Sequence, residues 1–384
     1  MAIIAADIEW RQGLPYSPLF KEFYFPPSTD MDESESVFLQ QSELKQRWQS
    51  LGKNFHSFTI AETGFGAGLN FLLCSDLWLN TAPKNSVLEF FSAELFPIDK
   101  AELAKILSQR PHLCTLSNEL IKHYPVPVPG IHNIELFQGR VKLHLMFGDA
   151  NEMFSSISQS PNQAQAHHNR KPVDLWLLDG FAPISNPALW SSDLLATIAS
   201  LSDQTTVALT ANIDRKTIST VSNNLQSAGF SVESYENNGS PKLRLKASFV
   251  GGKSQQSTSD NSSGPSQWHL DKTVRPISLR DHEVAIIGAG IAGCTTAVAL
   301  AKRGFKVKVI DRHALAGQEG SGNSQAIVYP KLSPRDDVLP RINLRALLFA
   351  SRYYAPFWQR GLGNQCGVIS LPENPKIAED FIKI

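Results

Sequence analysis

The sequence has few of the residues that staple a fold. Its four cysteines, Cys74, Cys114, Cys294 and Cys366, lie far apart among 384 residues and form no C-x-x-C pair. That excludes a framework of paired cysteines, whether as disulfides or as a zinc site. There is no apolar run of the ~20 residues that a membrane-spanning helix requires. The opening MAIIAADIEWRQG lacks a basic segment and meets acids at Asp7 and Glu9, so the expectation is a cytoplasmic protein without a signal peptide. Net charge is missing too, since 36 Lys/Arg balance 36 Asp/Glu. The balance is uneven along the chain: residues 271–384 carry 16 basic against 10 acidic side chains, and residues 1–270 carry 20 against 26. Such an asymmetry permits a surface for a polyanion and equally describes ordinary solvated surface.

What is present suits two domains. The stretch VGGKSQQSTSDNSSGPSQ, residues 250–267, is dominated by serine, glycine and glutamine and has no apolar period, as in a flexible linker. The expected organisation is a first domain over 1–250, a linker over 251–280 and a second domain over 281–384. A polar stretch at 155–172 reads as a surface loop. Its His167 and His168 have no third ligand nearby, so no metal site is expected.

Before the linker, short apolar runs alternate with helical patterns, the signature of an open parallel α/β sheet. SFTIAETG reads as a strand entering a glycine turn, and LNFLLCSDLWLN as the helix that follows. SVLEFFSAEL, VKLHLMFGDA, VDLWLLDGFAP and TTVALTA are further strands; FSVESYE and PKLRLKASFV are expected to close the sheet as a hairpin. The first 50 residues look less regular, apart from a helix in SVFLQQSELKQRWQSL.

In AETGFGAGLNFL, Gly64, Gly66 and Gly68 offer permissive dihedrals and close backbone approach, as a nucleotide cofactor needs. A tight turn would use the same residues. Glu62 just ahead would sit poorly beside a pyrophosphate and better beside a sulfonium or an ammonium group. Acids then follow successive strands. Glu94 is placed to accept from ribose hydroxyls, Asp149 to meet an adenine amino group, and Asp179 to face what lies beyond the cofactor. Each alone could be a helix cap.

ETGFGAGLNFL, FFSAELFP, GDA and DLWLLDGFAPISNPALW resemble the methyltransferase half of the bifunctional tRNA 5-methylaminomethyl-2-thiouridine biosynthesis (MnmC) family, and WRQGLPYSPLFKEFYF resembles its entrance segment. The resemblance covers nearly all of residues 7–250. It implies a class I, Rossmann-like methyltransferase that uses S-adenosylmethionine to methylate the aminomethyl group on wobble uridine 34 of tRNA. It implies a cofactor loop at Gly64–Gly68, ribose contact at Glu94, adenine contact at Asp149 and an acceptor-side carboxylate at Asp179. Methyl transfer to nitrogen is an in-line displacement in which a protein supplies alignment and field. Asp179 suits orienting the amine and accepting its proton, with Phe181 and Pro183 as a dry wall; Trp190 suits either core or substrate contact.

EVAIIGAGIAGCTTAVALAKRGFKVKVID carries a more specific signal. Gly288, Gly290 and Gly293 follow an apolar strand and open a helix, and a second strand ends in Asp311, roughly 20 residues on, where an acid meets ribose. This predicts the start of a second, dinucleotide-binding Rossmann domain without choosing NAD or FAD. HALAGQEGSGNSQAIVYPKLS resembles the FAD-dependent oxidoreductase half of the same family, which implies FAD near Gly320, Ser321, Gly322 and Asn323. Ser324 departs from the arginine of that pattern. In the family this half removes the carboxymethyl group from 5-carboxymethylaminomethyluridine. The short stretch after Glu283 implies an incomplete oxidoreductase half with impaired activity. Nothing indicates an obligate protein partner. The alternatives are a methyltransferase for a small amine and a non-catalytic tRNA-binding protein.

Overall fold

The main sheet combines strands buried along nearly their whole length with strands that alternate buried and more exposed residues. The computed structural model describes residues 3–25, 39, 41–52, 57–158, 172–210, 213–236, 243–251, 283–302, 304–323, 325–330, 333 and 337–382. The chain divides into two compact units, Met1–Ser254 and Gln255–Ile384. The linker expected over 251–280, apart from residue 251, lies outside the described residues, as do His167, His168 and Ser324.

The first unit opens with a small antiparallel meander, β1 (Glu9–Arg11), β2 (Leu14–Ser17) and β3 (Glu22–Phe23). Here the reading of an irregular N-terminus is corrected. Gln12 and Gly13 take left-handed dihedrals, φ 52° and 79°, between the paired Arg11 and Leu14, the geometry of a two-residue hairpin turn. The strands are too short to show a period in sequence. A helix α1 (Leu44–Gln49) follows, burying Leu44 and Trp48.

Next come β4 (Ser57–Glu62), α2 (Leu69–Thr81), β5 (Val87–Glu94), α3 (Lys100–Leu107) and α4 (Cys114–His123). Then follow β6 (Gly130–Leu136), β7 (Val141–Phe147), α5 (Ala150–Ser158), β8 (Leu175–Leu178), α6 (Ser192–Ser200), β9 (Val207–Thr210), α7 (Ile218–Ser227), β10 (Phe230–Glu236) and β11 (Leu243–Phe249). Strands β4 to β11 form one sheet in the order β10-β11-β9-β8-β4-β5-β7-β6. β4, β5, β7, β8 and β9 are parallel; β6, β11 and β10 pair antiparallel to their neighbours.

β4, β8 and β9 are nearly continuous buried runs because helices cover both faces, whereas β5 and β7 interleave buried apolar residues with the half-buried Glu89, Lys142 and His144. Phe71, Trp78, Leu103 and Leu120 pack on one face, and Phe154, Leu195, Ile198 and Leu225 on the other. β6 alternates buried and more exposed residues, as an edge strand does, and was not among the expected strands. The expected hairpin of β10 and β11 is present with full pairing from Phe230↔Phe249 to Glu236↔Leu243. From β4 the chain runs outward to β5 and β7, then returns to β8 and β9 on the other side. The crevice at such a reversal, outside the strands' carboxyl ends, is where open α/β sheets bind ligands.

The second unit contains β12 (Glu283–Ile287), α8 (Ile291–Lys302), β13 (Lys306–Ile310), α9 (Val338–Gln359) and α10 (Pro375–Ile382). β12 and β13 are parallel, joined by α8, in the β-α-β order expected. A Cβ at Gly293 would lie 1.9 Å from the carbonyl oxygen of Gly288, so only glycine lets α8 pack so closely on its own entrance turn.

Candidate active site

Four of the expected acids reach one edge of the main sheet. Glu62 ends β4, Glu94 ends β5, Asp149 follows β7 and Asp179 follows β8. Parallel pairing puts these ends side by side: Glu62 lies opposite Ser92, and Glu94 opposite Phe147. The glycine loop crosses between them and enters α2 at Gly68, whose φ is 73°. A Cβ there would meet the Phe65 ring at 2.6 Å. At Gly66 (φ 51°) a Cβ would meet only the ring of Tyr24, at 3.9 Å. The missing side chain thus keeps open a cradle above the loop that a cofactor can fill.

Two sets of hydrogen bonds hold three of these acids, one between Glu94 and the loop and one joining Glu62 and Asp179 through Asn70. The Gly66 amide donates to Glu94 Oε2 at 2.8 Å, and the Phe96 amide to Oε1 at 2.9 Å. Asn70 Nδ2, on the first turn of α2, donates to Glu62 Oε1 at 2.8 Å and to Asp179 Oδ2 at 2.6 Å. Ser92 Oγ donates to Glu62 Oε2 at 2.7 Å. Asp179 Oδ1 accepts from the amide of Gly180 at 2.8 Å, and its carbonyl accepts from Thr63 Oγ1 at 2.9 Å. Glu62 is buried and lies beneath the loop, with both oxygens engaged. Asp149 accepts the Glu152 amide at 3.1 Å and so also caps α5.

Burial sets the protonation of these groups. It pushes Glu94 up to about 7 against the pull of its backbone donors. Burial, reinforced by the charge of Asp179, raises Glu62 well above the usual carboxylate range, while Ser92 and Asn70 oppose the shift. Burial also raises Asp179, opposed by Asn70, the Gly180 amide and the charge of Arg244. Arg244 is buried on β11, which runs antiparallel to β9 and so brings residues 243–245 to the ligand edge. Burial lowers its own pKa while Asp179 holds it up.

The acceptor side is built from the loop after Asp179. Phe181 stacks on Phe20 at 4.4 Å between ring centroids and meets Tyr24 edge-on at 5.3 Å. Pro183 is half-buried in the same loop. Trp190 is core: it is 5% exposed and its Nε1 donates to the Phe181 carbonyl at 3.2 Å. Sequence reasoning missed Asn70, Ser92, Arg244, Phe20 and Tyr24. Asn70 alone left a signal, as a polar residue at the start of the otherwise apolar LNFLL.

The second glycine loop repeats part of this plan. Gly288 has φ 100°, the Ala289 amide donates to Asp311 Oδ2 at 2.6 Å, and the Ile291 amide donates to Ser321 Oγ at 3.0 Å. A Cβ at Gly290 would crowd Ser321 Oγ at 3.2 Å, so glycine there lets Ser321 approach the loop, whereas the space beside Gly288 is open. Gly322 comes within reach of the Gly317 carbonyl, where a Cβ would sit 2.1 Å away. Asn323 follows directly.

Comparisons with known proteins agree with this division. Residues 111–249 match the family described as S-adenosyl-L-methionine-dependent methyltransferase, and residues 283–383 match the family described as FAD dependent oxidoreductase. The first unit thus contains the match to a methyltransferase family and the second unit the match to an oxidoreductase family, and S-adenosyl-L-methionine and FAD are the cofactors those families use. A protein of Legionella pneumophila (strain Lens), named tRNA 5-methylaminomethyl-2-thiouridine biosynthesis bifunctional protein MnmC, is 35% identical over 377 residues, covering 97% of this chain and 55% of that protein. Proteins of the same name from Marinomonas sp. (strain MWYL1) and Methylobacillus flagellatus are 36% and 33% identical, covering 98% and 95% of this chain and 53% and 50% of their own. The resemblance read from the motifs extends along nearly the whole chain. The chain spans about half the length of the curated relatives it matches.

Proposed function

We propose that this chain modifies the wobble uridine of tRNA, its first unit methylating the aminomethyl nitrogen of 5-aminomethyl-2-thiouridine to give 5-methylaminomethyl-2-thiouridine. The observation that carries the reading is the linked set Glu62–Asn70–Asp179 beside a glycine loop that also holds Glu94. Glu94 would hold the ribose and Asp149 the adenine of S-adenosyl-L-methionine. Glu62 supports the loop from beneath rather than touching ligand. When bound, this cofactor supplies an electrophilic methyl group on a cationic sulfur.

Asn70 fixes Asp179 in a direction set by α2, and the Gly180 amide fixes its other oxygen. Each oxygen keeps a lone pair with which to orient the acceptor amine. The amine must be unprotonated to offer its own pair, and a carboxylate with a raised pKa is the better acceptor of the proton released. Phe181 and Pro183 exclude water from that side. The second unit would hold FAD through Gly288, Gly290, Gly293, Gly322 and Asn323, with Asp311 at the ribose. No helix among the described residues is long and apolar enough to cross a membrane, and a cytoplasmic site of action fits a tRNA substrate.

Mass spectrometry of nucleosides from tRNA bearing 5-aminomethyl-2-thiouridine, after incubation with the chain and S-adenosyl-L-methionine, tests the proposal. The expected product is the methylaminomethyl nucleoside. Methyl transfer to small amines with none to tRNA would replace this reading with that of a small-molecule methyltransferase.

A further inference from the structure

The N-terminal meander is fastened on two sides of the candidate site, by contacts of different kinds. Toward α3, Trp10 Nε1 donates to Glu102 Oε2 at 2.8 Å, with Lys105 Nζ 3.9 Å from the centre of the Trp10 ring. On the same side the Gln109 amide group donates to the Gly13 carbonyl at 2.8 Å. Toward the acceptor loop, Glu22 of β3 accepts the Ala182 amide with Oε2 at 3.2 Å and the hydroxyl of Ser185 with Oε1. The same segment carries Phe20, stacked on Phe181, and, just after β3, Tyr24, whose ring lies over Gly66. The loop after Asp179 is thus held by a carboxylate from about 160 residues earlier, on a hairpin anchored to a different helix.

We propose that Glu22 is a positioning residue for methyl transfer: by gripping Ala182 and Ser185 it fixes the loop that carries Phe181 and, through it, the placement of the acceptor beside Asp179. The inference rests on the methyltransferase reading above. A backbone amide and a hydroxyl are the two donors, and a carboxylate on a short, paired strand is a rigid acceptor for both. Glu22 sits at a paired position, opposite Ser17, and Ser17 Oγ in turn accepts the Phe20 amide at 3.3 Å. One hairpin therefore sets both the polar grip and the aromatic stack. Its role is alignment, for which a misplacement of about 1 Å is enough to cost a large factor in rate.

The prediction separates shape from charge. Glu22→Gln keeps one carbonyl oxygen for the Ala182 amide and offers an amino group to the Ser185 oxygen, so it should stay within about twofold of the unaltered chain. Glu22→Ala should lower kcat/KM for tRNA about tenfold, with the dissociation constant for S-adenosyl-L-methionine unchanged. In the double variant with Ser185→Ala the two losses should not add, because both remove the same grip. Equal losses in the Gln and Ala variants, or additive losses in the double variant, would overturn the proposal. Hydrogen exchange at the Ala182 amide gives a readout independent of activity: protection should fall in Glu22→Ala and persist in Glu22→Gln. If the unaltered chain methylates no tRNA, the functional reading fails by itself. Unchanged exchange at Ala182 would refute the role of Glu22 in either case.

Discussion

The two glycine loops make the same contact and reach opposite electrostatic states. In each, the acid that follows the next strand turns back to a loop amide, Glu94 to Gly66 at 2.8 Å and Asp311 to Ala289 at 2.6 Å. Yet burial pushes Glu94 up to about 7, whereas backbone donors at Ala289 and His313 hold Asp311 below the usual carboxylate range. The first loop is roofed by Tyr24 and backed by an eight-stranded sheet. The second stands on two strands whose apolar residues stay open, with Ile287 91% and Ile310 55% exposed. The motif fixes where the carboxylate goes, and the surrounding mass fixes its charge.

The sharpest way to break that comparison is to neutralise an acid inside the buried network. Asp179→Asn removes the charge and keeps one oxygen, which can accept from Asn70 or from the Gly180 amide but not from both; cofactor affinity should hold while single-turnover methylation slows about 100-fold or more. Calorimetry with S-adenosyl-L-methionine and rapid quench on tRNA separate the two quantities. Lost cofactor affinity would move Asp179 to the cofactor side of the crevice.

The parts of this site visible in sequence are those made by neighbours along the chain. Glycine spacing, the apolar runs of parallel strands and an acid at each strand end are local, and Glu62, Glu94, Asp149 and Asp179 all arrive at the predicted edge. What stayed hidden is contact between distant segments. Asn70 and Asp179 are 109 residues apart and Glu22 and Ser185 are 163 apart. Nothing local distinguishes Arg244 in PKLRLKASFV from a solvated strand arginine until β11 pairs beside β9. The meander escaped for another reason: two- to four-residue strands carry no measurable period.

A second experiment sharpens the contrast between the loops by pH. Glu94 is protonated below about 7 and ionised above it, and only the ionised form can accept from both ribose hydroxyls while holding the loop amides. Affinity for S-adenosyl-L-methionine should therefore rise as pH increases through about 7 and then level. Glu94→Gln should bind about tenfold more weakly at high pH, through loss of charge-assisted hydrogen bonds, and lose the pH dependence. FAD affinity at the second loop should be flat across the same range, because Asp311 is already ionised there. A matching pH dependence in both units would show that the motif, and not burial, sets the charge.

The smallest expected effect tests Arg244, a buried cation set against Asp179. Arg244 lowers the pKa of Asp179 and is itself held protonated by it. Replacing it with Gln removes the cation but keeps a polar side chain, so the pKa of Asp179 should rise further. The acid limb of the pH–rate profile for methylation should then move to higher pH, with the rate at the alkaline plateau changed only a few-fold. Arg244→Lys should restore part of the shift, since a positive charge returns without the planar fork. The counterpart at the second loop is Arg312, which is exposed and acts on Asp311 as a lesser influence than the backbone donors. Arg312→Gln should leave FAD affinity unchanged, because solvent screens a pair at the surface. A profile that does not move in Arg244→Gln would mean that burial, Asn70 and Gly180 govern Asp179 without Arg244, and would assign Arg244 to the packing of β11 instead of the chemistry.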